Sequence, residues 1–254
     1  MLRFCLLLGP LLLLGCQNEP PQGVTAEHAT GQTVAPPTDA AGYYDRALQY
    51  ENTGDYDLAD ADYTRAYQLD STNANYAYAM AGIWLDRQQY ADAERVLQRH
   101  TMRDAPRYSL LLAEVELARG RYARALELLS PLTTNTVPAR ADAYYLIGEV
   151  EAARGDTSAA LAAYRRIGSI DRQYLRGNYR AGELLLERGQ PAEAHREFNI
   201  VVNNDPANIS ARYLRGYASE LMGRGADAID DYEAVLRMEP TFSEAREALD
   251  RVSR

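Results

Sequence analysis

Six alanines recur along the chain at nearly constant spacing. They are Ala59, Ala93, Ala125, Ala160, Ala194 and Ala228, at intervals of 34, 32, 35, 34 and 34 residues. A period of this size fits a helix-turn-helix unit copied end to end and leaves little room for any other architecture. Other positions keep the same phase. Five residues before the alanine stands Gly54, Gly120, Gly155, Gly189 or Gly223, with Gln88 in the remaining copy. Four residues after it comes a bulky side chain: Tyr63, Leu97, Leu129, Tyr164, Phe198 or Tyr232. Twelve before it is a small one: Ala47, Ala81, Ala113, Gly148, Gly182 or Gly216. Small residues at two fixed sites let paired helices approach closely, and the bulky residue fills the space beside them. The glycine lets the chain leave the first helix in a left-handed conformation. Pro206 and Pro240 then stop the second helix of the last two copies. Each pair leaves an apolar face uncovered, so the pairs must stack.

This pattern resembles the tetratricopeptide repeat (TPR), and the resemblance covers residues 40–242 as six copies. Their bounds fall at about 40–73, 74–105, 106–139, 141–173, 175–208 and 209–242. The resemblance implies an all-α fold, a right-handed α-solenoid of six helix-turn-helix repeats closed by a C-terminal capping helix at 243–254. That last helix begins at Ser243, read as its N-cap, and gathers Ala245, Ala248, Leu249 and Val252 on one face, as a solenoid end requires. Pro131 falls inside the second helix of the third copy and is expected to shorten or kink it.

The first residues read as a targeting segment. Arg3 precedes an apolar run from Phe4 to Leu14, well short of the ~20 residues that span a bilayer as a helix. The run ends in Leu13-Leu14-Gly15-Cys16, which resembles a bacterial lipobox. That resemblance implies removal of residues 1–15 and lipid attachment, palmitate included, at Cys16. Gln17 in place of aspartate implies the outer membrane, on its periplasmic side. The other cysteine, Cys5, lies in the leader, so the mature chain holds no thiol pair for a disulfide. Gln17 to Asp39 carries four prolines and no aromatic residue. It is expected to be a disordered tether.

Composition narrows the chemistry. The 27 basic residues are all arginine, against 36 acidic ones, for a net charge of −9. Without lysine there is no Schiff-base chemistry and no phosphate-binding P-loop. An acidic chain also repels nucleic-acid phosphate. No catalytic motif or cysteine pair with metal spacing is visible, which points to no enzyme and no cofactor. His28, His100 and His195 are far apart; His100 reads as a core-edge residue and His195 as solvated. Asp57, Asp60 and Asp62, like Asp227, Asp230 and Asp231, read as solvated helix faces rather than calcium ligands.

In this family the first helix of each repeat lines a concave groove, with its fifth residue pointing inward. By that resemblance the row here is Tyr44, Tyr78, Leu110, Tyr145, Tyr179 and Tyr213. Four residues further on, the row is Leu48, Gly82, Glu114, Glu149, Glu183 and Tyr217. Tyrosine offers an apolar face and a polar tip, which suits peptide recognition, and a line of carboxylates favours a cationic partner. The groove is therefore expected to take a protein segment carrying Arg, Lys or Pro. Two readings of the tyrosines stay open: a recognition surface, or bridges between neighbouring helices. Some cytosolic members grip a C-terminal carboxylate through Lys, Asn and Arg. Here Tyr44, Leu48, Ala79 and Leu111 occupy four of those places and only Arg107 is basic, so that activity is not expected.

The leading functional reading is a non-enzymatic adaptor or assembly factor held at a membrane by its lipid. Pilotins of type IV pili and adaptors of peptidoglycan hydrolases share this architecture. The alternative is a module that binds cell-wall glycan or accompanies a peptidoglycan enzyme, since tyrosine faces also stack on sugars.

Overall fold

The computed structural model describes residues 37–99, 106–134 and 140–254. Cys16, the leader, the tether through residue 36 and His100 lie outside the described residues. Within Asp39–Arg254 the described residues form thirteen α-helices and no strand. The first pair is α1 (Ala40–Thr53) and α2 (Tyr56–Leu69); the second is α3 (Ala74–Asp86) and α4 (Tyr90–Arg99). Then come α5 (Pro106–Ala118) with α6 (Tyr122–Leu129), and α7 (Arg140–Ala153) with α8 (Thr157–Ile167). The last pairs are α9 (Arg176–Glu187) with α10 (Pro191–Asn204) and α11 (Ile209–Leu221) with α12 (Gly225–Met238). A single helix, α13 (Ser243–Val252), closes the stack. The fold is an all-α solenoid.

The phase positions do the packing that their sizes suggest. The six marker alanines are fully buried, and so are Tyr63, Phe198 and Tyr232. In the last three repeats the ring of the second helix lies directly against the glycine of the first. A Cβ added to Gly148 would fall 2.7 Å or less from three atoms of the Tyr164 ring, and one on Gly182 2.9 Å or less from three atoms of Phe198. The ring hydroxyls are then satisfied by carboxylates of the first helix: Tyr63 donates to Glu51 at 2.5 Å, Tyr164 to Glu149 at 2.6 Å and Tyr232 to Glu220 at 2.8 Å. The turn is also uniform. Gly54, Gly120, Gly155, Gly189 and Gly223 have φ between +67° and +82°, and Gln88 adopts the same left-handed form at φ +62° without being glycine.

Pro131 acts as anticipated. Helix α6 stops at Leu129, and Pro131 sits in a 3-10 turn, Ser130–Thr133. Pro191 occupies the first turn of α10, where its missing N–H costs nothing. Three expectations need correction. Ser243 is not the N-cap of α13: Phe242 holds that place, no side chain caps the helix, and the Ser243 hydroxyl turns to Glu244 instead. The acidic runs are solvated faces only in part: Asp57, Asp227 and Asp230 are exposed as expected. Asp62 and Asp231 are buried, and each grips an arginine of the facing helix with both oxygens, Arg46 at 2.6 and 2.8 Å and Arg215 at 2.9 and 2.6 Å. His195 is half-buried rather than solvated, and burial pushes its imidazole pKa down.

Arginine also fastens neighbouring repeats. Arg87 bonds Asp60 at 2.7 Å, Arg165 bonds Glu193 and Glu197 at 3.1 Å each, and Arg251 of α13 bonds Glu220 of α11 at 2.6 Å. The last pair makes the end of the stack sensitive to acid. Hydrogen bonds from Arg251 and Tyr232 hold the Glu220 carboxyl below its usual 4.5. A depressed carboxylate contributes stability above the unfolded pKa and loses it as pH falls through the folded one. Lowering pH below about 4.5 is therefore expected to loosen α13 before the central repeats, read as early amide exchange across Ser243–Val252.

Candidate functional site: the groove lined by the first helices

Successive first helices touch one another: α3 with α5, α5 with α7, α9 with α11, and α11 with α13. No two second helices come comparably close. At these four places the first helices are the closer-packed layer, and the candidate groove lies along their free faces. Four of them meet there electrostatically. Glu114 of α5 and Asp142 of α7 act on the Tyr78 phenol of α3, and Arg176 of α9 and Asp142 act on the Glu114 carboxyl. Further along, Tyr145 (α7), Arg176, Tyr179 and Arg180 (α9) and Ser210 (α11) line one open pocket of about 590 Å³, together with Asn208 and Gln173.

The row tyrosines are half-buried, and each has ring neighbours. Tyr44 lies 5.5 Å from Tyr63 and 5.0 Å from Tyr76. Tyr78 meets Tyr108 edge-on at 5.4 Å. Tyr145 lies 6.1 Å from Tyr164 and 6.2 Å from Tyr174, and Tyr179 meets Phe198 at 5.9 Å. Tyr213 lies 5.7 Å from Tyr232 and 5.3 Å from Phe242. Most of these tyrosines therefore join the core ring of their own repeat, an aromatic residue at the entry to the next, or both. Such contacts of ~0.5–1.5 kcal/mol per pair fix their orientation. Each ring also keeps part of its surface open to solvent. Burial raises the phenol pKa of Tyr44, Tyr78, Tyr179 and Tyr213, so all four are neutral donors. Tyr217 is half-buried, while Leu48 is 38% exposed and Gly82 has open space over it.

The carboxylate row is less open than its sequence suggests. Arg180 bonds Glu149 at 2.8 Å and Glu183 at 2.6 Å, and Glu149 also accepts the Tyr164 hydroxyl. Asp142 accepts the Tyr174 hydroxyl at 2.9 Å. Glu114 differs: no described residue donates a hydrogen bond or an ion pair to it, and burial pushes its pKa up. Two arginines lie over the tyrosine faces, Arg107 at 5.2 Å from Tyr78 and Arg176 at 4.2 Å from Tyr145. Arg107 also donates to Asn75 at 2.6 Å.

Asp142, Arg176 and Arg180 escaped the sequence reading. Their signal was available, since Arg107, Asp142 and Arg176 each precede a row position by three residues and so share its face. Among the described residues no group of histidine, cysteine, aspartate and glutamate has the geometry to hold a metal ion.

A stack of helix pairs with aromatic side chains along its first helices defines a repeat scaffold. The chain belongs to the tetratricopeptide repeat family: models of that family match residues 40–73, 85–131, 110–171 and 179–241. Proteins built on this repeat mediate protein–protein interaction. Among curated relatives, the mitochondrial import receptor subunit TOM70 of Rattus norvegicus is 28% identical over 107 residues, 42% of this chain. The chain spans only 17% of TOM70's length. Among solved structures, Pseudomonas aeruginosa PilF matches at TM-score 0.62 and 16% identity, over 84% of this chain and 97% of its own. PilW, a widely conserved type IV pilus biogenesis factor, matches at TM-score 0.62 and 17% identity, over 85% and 98%. At such identities these two likenesses establish the fold alone.

Proposed function

We propose that this chain is a non-enzymatic adaptor or assembly factor that holds a segment of another protein along its inner face. Acyl chains on Cys16 attach it to the periplasmic side of a bacterial outer membrane. The observation that carries the reading is the shared pocket, to which three consecutive first helices present Tyr145, Arg176, Tyr179 and Ser210. A run of aromatic edges, hydrogen-bonding tips and arginines is suited to an extended chain, and no residue there is equipped to cut or transfer one. The lipobox and the tether motivate the attachment, because two or more acyl chains hold a protein durably at a bilayer. PilW is itself a pilus biogenesis factor of the same architecture, which supports the assembly-factor class at the level of fold only.

The test is capture of a partner in intact cells by crosslinking, with Tyr145→Ala/Tyr179→Ala beside the natural chain. The double variant is expected to lose the captured partner while unfolding stays cooperative. A partner held equally well by both would show the tyrosines to be inter-helix bridges and nothing more. Labelling with palmitate, present in the natural chain and lost in Cys16→Ser, checks the anchor separately.

A further inference from the structure

We propose that the centre of the groove is a slot for one basic side chain, a lysine or arginine of the bound segment, seated on Glu114 between Tyr78 and Tyr145. The inference rests on the adaptor reading and specifies what the groove selects.

Three carboxylates stand at equivalent places on α5, α7 and α9. Glu149 and Glu183 share Arg180, and Glu149 takes a tyrosine hydroxyl as well. Glu114 has the same position and the same partial loss of water, yet no donor among the described residues. A desolvated carboxylate without a hydrogen bond is unfavourable by itself and is normally compensated. Burial is the largest influence on it; among the charges around it Arg176 attracts while Asp86 and Asp142 repel, and Arg176 is itself engaged over the Tyr145 ring. A cation brought from outside would meet Glu114, with Asp142 and Asp86 adding to the attraction. The rings on either side suit the methylenes of such a side chain. The two arginines nearby, Arg107 and Arg176, already lie on tyrosine faces and so are partly committed. Charge complementarity therefore selects the basic occupant.

The test uses the full chain in detergent with a displayed library of randomised short peptides. The natural chain is expected to enrich peptides that share one basic position, and Glu114→Gln to lose that enrichment while still selecting aromatic or proline-rich sequences. A selected peptide should bind Glu114→Gln roughly tenfold more weakly or worse. Stability supplies an independent sign. Glu114→Gln removes an uncompensated charge and is expected to raise the urea midpoint, whereas Glu149→Gln loses its bonds to Tyr164 and Arg180 and should lower it. The chain has no lysine, so apart from its own N-terminal amine a carbodiimide can join Glu114 only to a partner's amine. With a lysine-bearing selected peptide, that crosslink should map to Glu114. Enrichment without a basic position, or a lower midpoint for Glu114→Gln, overturns the slot and leaves the adaptor reading standing. No enrichment beyond that of Tyr145→Ala/Tyr179→Ala overturns both.

Discussion

Replacing Gly148 by alanine is expected to lower stability by about 1–2 kcal/mol, while the same change at Gly82 raises it by about 1 kcal/mol. Both glycines sit inside first helices, α7 and α3, so both changes gain the same helix propensity, roughly 1 kcal/mol. What differs is the space above them. Nothing lies within 4 Å of a Cβ on Gly82, whereas at Gly148 the ring of Tyr164 is already there. That ring cannot retreat, because it is 2% exposed and its hydroxyl is tied to Glu149. The backbones of α7 and α8 must separate instead, and overpacking outweighs propensity. Urea unfolding of the two variants beside the natural chain measures the difference. Equal shifts of the same sign would disprove the ring-on-glycine account.

Asp231→Ala is expected to cost about 3 kcal/mol, because it strands an arginine held mostly out of water. Asp231 accepts both bonds of the Arg215 fork, and Arg212 approaches it at 3.7 Å. The side chains of Asp231 and Arg215 are 7% and 17% exposed. Without the carboxylate, Arg215 keeps only Asn199, at 2.7 Å, in a place where water cannot solvate it fully. Asp57→Ala is the control. Asp57 also pairs with an arginine, Arg87, but its side chain is 94% exposed, so the change should cost less than about 1 kcal/mol. A comparable loss at both positions, measured in the same urea titration, would show that burial is not what gives these pairs their strength.

The fold was legible because one constraint repeats. A single small-to-large pairing is weak, but Gly148 with Tyr164 and Gly182 with Phe198, in phase with the marker alanines, leave helix pairing as the consistent solution. Gln88 shows what a residue pattern leaves out: the turn keeps its left-handed shape without the glycine that signals it, since the flanking helices impose the geometry. The buried ion pairs were misread for a different reason. Arg46 and Asp62 stand 16 residues apart on facing helices, as do Arg215 and Asp231, so neither pair has helical spacing. Comparing repeats would have exposed them, because each arginine follows a row tyrosine by two and each aspartate precedes a core ring by one. In the groove, the rows could be read from the family pattern. That Arg180 takes Glu149 and Glu183 and leaves Glu114 alone depends on side-chain reach, which position in a sequence does not encode.

The buried residues of each core cluster from α5 onward come from two or three consecutive helices: Ala113 to Val150, Ala141 to Ala181, Leu185 to Ala218, and Ala228 to Ala248. No repeat leans on a distant one. Strain or damage at either extremity therefore travels only as far as the next pair, and the molecule frays instead of collapsing as a whole. Such a scaffold can yield at its tips under load while α5 to α9 keep their grip.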